Sequence, residues 1–187
     1  YKMPVQPFSL LIKPASADCN LKCHYCFYYD KSLLYPQSSK HRMTDDVLQK
    51  LISSYMATPQ EVYTFGWQGG EPTIMGLEFF QKVIDLQKKY GKNNAVVANG
   101  LQTNGTLIDN DFAKFLSKYK FLVGLSIDGP QDIHDKYRQT ANGAGTFQKV
   151  MEGFNCLKRN NVEFNVLTLV SKANVRSAKE VYNFLCD

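Results

Sequence analysis

Val62-Tyr63-Thr64-Phe65-Gly66-Trp67 is followed directly by the turn sequence Gln68-Gly69-Gly70-Glu71-Pro72. The first six residues predict a buried β-strand, because β-branched and aromatic side chains favour strands and the run is short. Two glycines and a proline then predict a sharp turn. The same succession, an apolar run followed by a turn of small and polar residues, recurs along the chain and decides the fold class.

Four further apolar runs predict strands at 8–12, 95–101, 121–127 and 164–170. Stretches with apolar residues at helical spacing follow them, at 44–56, 77–86, 109–119 and 146–157 and from about 177. Thr44, Asp109 and Thr146 are the expected N-caps, and 30–43 is predicted to be an exposed loop. This strand–helix alternation predicts an α/β fold with parallel strands, either a βα-barrel or a doubly wound sheet. Five units do not close an eight-stranded barrel, which suggests an open or truncated one.

Composition limits the class of protein further. The chain has 187 residues, of which 44% are hydrophobic and 21% charged, as expected of one globular domain or of one domain with part of another. The net charge of +5 comes from scattered lysines, so we expect no nucleic-acid partner. No apolar run is long enough to span a bilayer, and 1–7 lack a signal-peptide pattern. We therefore expect a cytoplasmic protein without a membrane partner.

Three of the five cysteines are crowded together as Cys19-x-x-x-Cys23-x-x-Cys26. An odd number of cysteines with this crowding does not resemble a secreted disulfide framework. Three soft thiolates at this spacing favour an iron–sulfur cluster that keeps one iron free of cysteine. The alternatives are a zinc site, for which His24 could supply the fourth ligand, or three free thiols. Cys156, at helical spacing among apolar residues, is expected to be a buried core thiol.

Distinctive residues also follow the other predicted strands. They are Gly69-Gly70-Glu71-Pro72, Thr103-Asn104-Gly105, and Ser126 with Asp128-Gly129. In parallel α/β folds, ligands bind where the loops at the carboxyl ends of the strands converge. These three loops and the cysteine loop, four in all, are therefore predicted to surround one ligand.

The cysteine spacing, with Tyr25 before the last cysteine, resembles the signature of radical S-adenosylmethionine (SAM) enzymes. The resemblance implies that Cys19, Cys23 and Cys26 hold a 4Fe–4S cluster. The methionine part of SAM would chelate the fourth iron, and reductive cleavage of SAM would give a 5′-deoxyadenosyl radical. It also implies a set of SAM-contacting residues: Tyr25 through its backbone to the adenine, Gly69, Gly70 and Glu71 to the ammonium, Thr103 and Asn104 to the ribose or methionine, and Ser126 and Arg138 to the carboxylate.

All of these positions except Ser126 also have a purely structural interpretation. The glycines and Glu71 could form only a tight strand-to-helix turn, and Thr103 and Asn104 an ordinary Asn-Gly turn. Arg138, in a segment predicted to be irregular, could make a surface salt bridge. Tyr25 could merely pack beside the cluster.

Longer strings resemble one group within this superfamily, the anaerobic sulfatase-maturating enzymes. They include 9–14, 26–28, 68–73, 101–106 and 124–130. The resemblance implies oxidation of a Cys or Ser of a sulfatase polypeptide to Cα-formylglycine. It places Tyr28 and Gln68 near the substrate, although both could be rim packing residues. It also implies an electron donor of the reduced flavodoxin or ferredoxin type.

That group has a partial (β/α)6-type, TIM-like barrel followed by a SPASM domain with auxiliary clusters. We therefore expect 1–187 to be the radical SAM partial-barrel domain, truncated after about five βα units, with the SPASM domain absent. The catalytic acid–base residue is unknown and expected beyond residue 187. Two other functions stay open: a different radical SAM peptide-modifying enzyme, such as one that forms thioethers, and a non-catalytic metal-binding module.

Overall fold

The computed structural model describes residues 6–34, 38, 40–92 and 94–186. Within these ranges the strands are β1 (Leu10–Ile12), β2 (Val62–Trp67), β3 (Val96–Thr103), β4 (Leu122–Ser126) and β5 (Glu163–Leu167). The α-helices are α1 (Asp45–Met56), α2 (Leu77–Tyr90), α3 (Asn110–Lys118), α4 (Gln131–Tyr137), α5 (Phe147–Arg159) and α6 (Ala178–Cys186). None of the described helices combines the length and apolar character needed to cross a membrane.

The five strands form one sheet in the order β1-β2-β3-β4-β5, and every neighbouring pair is parallel. A doubly wound sheet reverses its strand order part-way, whereas a barrel adds each strand to the same edge. Right-handed crossovers then place successive helices on the same face of the sheet. The α/β prediction is confirmed, and the strand order identifies an open, partial TIM-like barrel.

The two faces of the sheet have opposite character. The face toward the helices carries buried residues, among them Tyr63, Phe65 and Trp67 of β2. The Phe80 ring of α2 packs edge-on against Trp67, with 5.9 Å between the ring centroids. The other face carries glycines and polar residues together with exposed leucines, of which Leu11 is 63% exposed. It surrounds a hollow of about 270 Å³. The interior of the partial barrel is therefore available to a ligand instead of being filled by side chains.

Most predicted elements are confirmed, but four details are wrong. Residues 131–137 form α4, in the segment read as irregular, and Arg138 is its C-cap. Residues Tyr29–Leu34 form a 3-10 helix within the predicted loop 30–43, of which 35–37 and 39 lie outside the described residues. Cys156 is only partly buried, against the edge of the core.

The start of α5 is the fourth detail. Its first backbone amides, of Thr146 and Phe147, donate to the carboxylate of Asp135 at 2.7 and 2.8 Å. The Thr146 side chain makes no cap hydrogen bond and instead donates to the Arg138 carbonyl at 2.9 Å. A carboxylate from α4 therefore caps α5, which sequence-local capping rules do not anticipate.

His134 connects α4 to the strand end and to α5. Its Nδ1 accepts from the Asp128 amide at 3.4 Å, and its Nε2 lies 3.2 Å from the Thr146 hydroxyl oxygen. Since the amide can only donate, the ring is neutral with its hydrogen on Nε2. Burial, and then the positive charge of Arg138, lower the pKa of His134 from 6.5 to about 4.

This neutral imidazole makes stability depend on pH. The unfolded chain takes up a proton at His134 below its ordinary pKa, and the folded chain does so only near 4, so the free energy of unfolding falls as pH drops through that window. His134→Gln removes the effect. We expect the difference in free energy of unfolding between wild type and His134→Gln to shrink by up to about 3 kcal/mol between pH 7 and pH 4.

Urea unfolding at a series of pH values measures this difference. Ile133→Val is the matched control, because it removes one buried methyl group from the same helix and no titrating group. The loss in free energy of unfolding that Ile133→Val causes should be the same at every pH. A constant difference for His134→Gln would contradict the neutral, buried ring.

Candidate functional site

The cysteine loop lies against the turn that follows β2. The Glu71 amide donates to the Asp18 carbonyl at 2.8 Å. Gly70 has φ +46°, and a β-carbon there would lie 2.1 Å from the same carbonyl oxygen. Any side chain at Gly70 would therefore push the two loops apart. Gly70, which was predicted to contact a ligand, is therefore also required for the close approach of the cysteine loop.

The Glu71 carboxylate is buried and joins two of the predicted loops. One of its oxygens accepts from the Thr73 amide at 3.0 Å and from the Thr73 and Thr103 hydroxyls, both at 2.7 Å. Its other oxygen accepts from the Asn104 amide at 2.7 Å. Burial raises the pKa of Glu71, and these hydrogen bonds oppose the rise. These four hydrogen bonds engage the carboxylate within the protein.

Asn104 ties the turn after β3 to the cysteines. Its side-chain nitrogen lies 3.0 Å from Asn20 Oδ1 and 3.7 Å from Cys19 Sγ. Its side-chain oxygen accepts from the amide and hydroxyl of Thr106 at 3.0 and 2.7 Å. The Asn104 side chain is thus fully used within the protein, and Thr103 is likewise bound to Glu71.

The other side of the cysteine loop rests on the segment after α4. The amides of Lys22 and His24 donate to the carbonyls of Gln139 and Tyr137 at 2.7 and 3.0 Å. His24 Nε2 lies 3.1 Å from Gln139 Oε1, and the His24 ring stacks on Tyr137 at 5.7 Å. α4 and the residues after it, which the sequence did not predict, therefore hold one wall of the site.

Arg138 lies in this wall and is buried. Its Nε donates to Asp128 Oδ2 at 3.0 Å, and its guanidinium lies 5.5 Å from the centre of the Tyr25 ring. The Tyr25 hydroxyl also donates to the Asp128 carboxylate. Burial alone would lower the pKa of Arg138, but the charge and hydrogen bond of Asp128, together with Tyr25 and Cys23, outweigh it and the net pKa is raised. Arg138 is thus a charged, buried member of the site and not part of a surface salt bridge.

The remaining predicted residues lie along the inner face of the sheet. Ser126 accepts from Gln102 Nε2 at 3.1 Å. Gln68 lines the hollow of the partial barrel. The Tyr28 ring lies 5.0 Å from Lys13 Nζ, and a β-carbon at Gly69 would be 2.6 Å from Lys13 Cγ. Tyr28 and Gly69 therefore both lie beside Lys13, and Gln68 precedes Gly69 in the chain.

Two cavities open beside the thiols. One of about 370 Å³ touches Cys19 and Cys26, and another of about 450 Å³ touches Cys23 and Cys26. Desolvation by the surrounding protein, followed by the charges of Glu71 and the other two thiols, raises the pKa of Cys19 to about 12. A metal that binds here must therefore displace thiol protons, as thiolate ligation generally does.

These thiols suit a cluster better than a single ion. Among the residues described, no three His, Cys, Asp or Glu side chains are gathered so that they could hold one metal ion. His24, the possible fourth zinc ligand, is engaged by Gln139 and Tyr137. A cluster receives each thiolate on a different iron, so its ligands can stand further apart. Three soft thiolates on one loop are the ligand type that such a cluster takes.

Several residues of the site were not assigned a role from the sequence. Asp128, which the sequence singles out only as one of the residues that follow a strand, binds Tyr25, Arg138 and, at 3.0 Å, the Leu169 amide. Asn20 and Thr106 lack any motif of their own. Of these residues only Asp128 could have been found from the sequence, because a carboxylate at the carboxyl end of a predicted parallel strand lies where ligands bind.

Known proteins resemble this chain over nearly all of its length. A cysteine-type anaerobic sulfatase-maturating enzyme of Clostridium perfringens is 47% identical over 178 residues, which are 95% of this chain and 48% of that protein. A serine-type anaerobic sulfatase-maturating enzyme of Bacteroides thetaiotaomicron is 41% identical over 182 residues, 96% of this chain and 43% of that protein. The chain spans about half the length of these relatives.

A solved structure gives the same relationship in three dimensions. Native anSMEcpe with bound AdoMet and Cp18Cys peptide superposes with a TM-score of 0.89 at 46% identity, over 97% of this chain and 48% of that one. The sequence pattern of the Radical SAM superfamily matches residues 14–185. The chain belongs to the Radical SAM superfamily.

Proposed function

We propose that this chain is the cofactor-binding part of a radical SAM oxidoreductase that converts a Cys or Ser of a sulfatase polypeptide to Cα-formylglycine. The superfamily uses a 4Fe–4S cluster and S-adenosylmethionine. The observation that carries the proposal is the match, over 97% of the chain, to an enzyme solved with both AdoMet and a peptide. The convergence of three thiols and three strand-end loops at one place supports it.

Cys19, Cys23 and Cys26 would each hold one iron of the cluster. When bound, the reduced cluster and S-adenosylmethionine together supply the electron and the hydrogen-abstracting group that start the oxidation. The protein's own residues would shield the cluster and S-adenosylmethionine from water and hold them in a fixed relative position. Gly70 and Glu71 do so by fixing the cysteine loop against the turn after β2.

Different residues around the thiols would contact different parts of S-adenosylmethionine. The backbone of Gly69, Gly70 and Glu71 would receive the ammonium, because the Glu71 carboxylate is already bound. Arg138 and Ser126 would receive the carboxylate, with Asp128 holding the guanidinium in place. The Tyr25 backbone would face the adenine while its hydroxyl anchors the loop to Asp128. Thr103 and Asn104 would shape the ribose side through their backbone.

The substrate would enter the open face of the sheet. The hollow of about 270 Å³ there is lined by Gln68 and bordered by glycines, so an extended peptide could approach the strands closely. Tyr28 and Gln68 would contact it. We further propose a cytoplasmic location, a reduced flavodoxin- or ferredoxin-type donor, and one partial-barrel domain over residues 1–187.

Replacing one cluster ligand tests the metal assignment. Cys23→Ala should lose most of the iron and sulfide that the wild-type chain binds on anaerobic reconstitution, roughly four of each per chain, because two thiolates cannot retain the cluster. Iron and sulfide assays with the visible absorption spectrum measure the loss. Cys156→Ala, which removes a thiol on α5 instead of one in the cysteine loop, should retain both. Equal retention by the two variants, or one zinc in a colourless wild-type protein, would refute the assignment.

A peptide assay tests the substrate. The full-length protein that contains this chain is incubated with reductant, S-adenosylmethionine and a peptide that contains the sulfatase sequence Cys-x-Pro-x-Arg. We expect mass spectrometry to show conversion of the cysteine to an aldehyde, which a hydrazine reagent traps. A matched peptide with Ala in place of the cysteine should stay unchanged. Cleavage of S-adenosylmethionine with no change in either peptide would assign the chain to another peptide-modifying reaction.

A further inference from the structure

The Asn104 side chain has an orientation that its neighbours fix. Its oxygen faces the backbone amide of Thr106 at 3.0 Å, and a backbone amide can only donate a hydrogen bond. The oxygen and nitrogen ends of this amide therefore cannot be exchanged. The nitrogen end is the one that faces the cysteine loop, where it carries two hydrogens.

Both of those hydrogens have acceptors. One points to Asn20 Oδ1 at 3.0 Å, and the other to Cys19 Sγ at 3.7 Å, within the range of N–H···S hydrogen bonds. The Leu21 amide donates to the same sulfur at 3.3 Å. Asn104 is only 7% exposed, so water does not compete strongly with these contacts. Cys19 thus receives one N–H from its own loop and one from the loop after β3.

Hydrogen bonds to cluster sulfurs are among the factors that set the reduction potential of an iron–sulfur cluster. An N–H group directs the positive end of its dipole at the sulfur. It therefore stabilises the additional negative charge of the reduced cluster more than the charge of the oxidised one. Fewer such bonds make the cluster harder to reduce.

We propose that Asn104 is a positioning residue that raises the reduction potential of the cluster bound by Cys19, Cys23 and Cys26, through its side-chain N–H···S bond to Cys19. The proposal rests on the proposed cluster. It assigns to Asn104 a role toward the metal that differs from the predicted contact with S-adenosylmethionine. One electron from a low-potential external donor enters the cluster, and Asn104 favours that step.

The test is a reductive titration of the reconstituted chain without S-adenosylmethionine, monitored by electron paramagnetic resonance. Asn104→Ala removes the donor and should give a more negative midpoint potential than wild type. Asn104→Asp keeps an acceptor for the Thr106 amide but puts a carboxylate near the sulfur, so its potential should be more negative still. The Cys23→Ala chain supplies the background spectrum.

Thr106→Val is the matched control. It removes the hydroxyl that binds Asn104 and Asn20, at 2.7 and 2.8 Å, and so loosens the same loop without removing the N–H group that faces Cys19. Its midpoint potential should equal that of wild type. An unchanged or more positive potential in Asn104→Ala, or an equal fall in Thr106→Val, would overturn the proposal.

A measurement on the unsubstituted chain avoids any dependence on the folding of the variants. With asparagine labelled by nitrogen-15 in the side chain only, the hyperfine spectrum of the reduced cluster should contain a nitrogen-15 coupling. A spectrum without that coupling would also overturn the proposal. A wild-type chain that binds no cluster would instead refute the proposed function, so the two failures are distinct.

Discussion

The site depends on the close approach of two backbones, at Gly70 and Asp18. A β-carbon at Gly70 would lie 2.1 Å from the Asp18 carbonyl oxygen, which is far inside van der Waals contact. The approach allows the Glu71 amide to bind that carbonyl and turns the Glu71 carboxylate inward, toward Thr103 and the Asn104 amide. Three loops that follow three different strands are thereby held as one rigid unit.

This unit shows how the fold prepares the chemistry. A parallel sheet brings its strand ends together, but only to within the length of the loops. Buried polar groups fix the relative positions of the loops more closely than this. Each of these groups must be hydrogen-bonded, because an unsatisfied group at a buried position costs free energy. Glu71 serves one side of the cysteine loop in this way. Asp128, with Tyr25 and Arg138, serves the other side.

The sequence predicted the fold well because two periodic signals agree along it. Apolar runs marked the strands and helical spacing marked the helices, so only short or tertiary features escaped. α4 is too short to show a clear amphipathic pattern, and its role comes from Asp135, which caps a different helix. The cysteine loop and its neighbours were also predicted to converge, since that follows from parallel strands. The direction of each side chain was not predictable, because it depends on contacts such as that between Asn104 and Cys19, 85 residues apart.

Mössbauer spectroscopy of the chain reconstituted with iron-57 examines the free corner of the cluster directly. In the oxidised state, with the Cys23→Ala chain as background, we expect one iron in four to change its isomer shift when S-adenosylmethionine is added, while the three cysteine-bound irons do not. A spectrum that S-adenosylmethionine leaves unchanged would contradict an open iron held between the cysteine loop and the turn at Gly70.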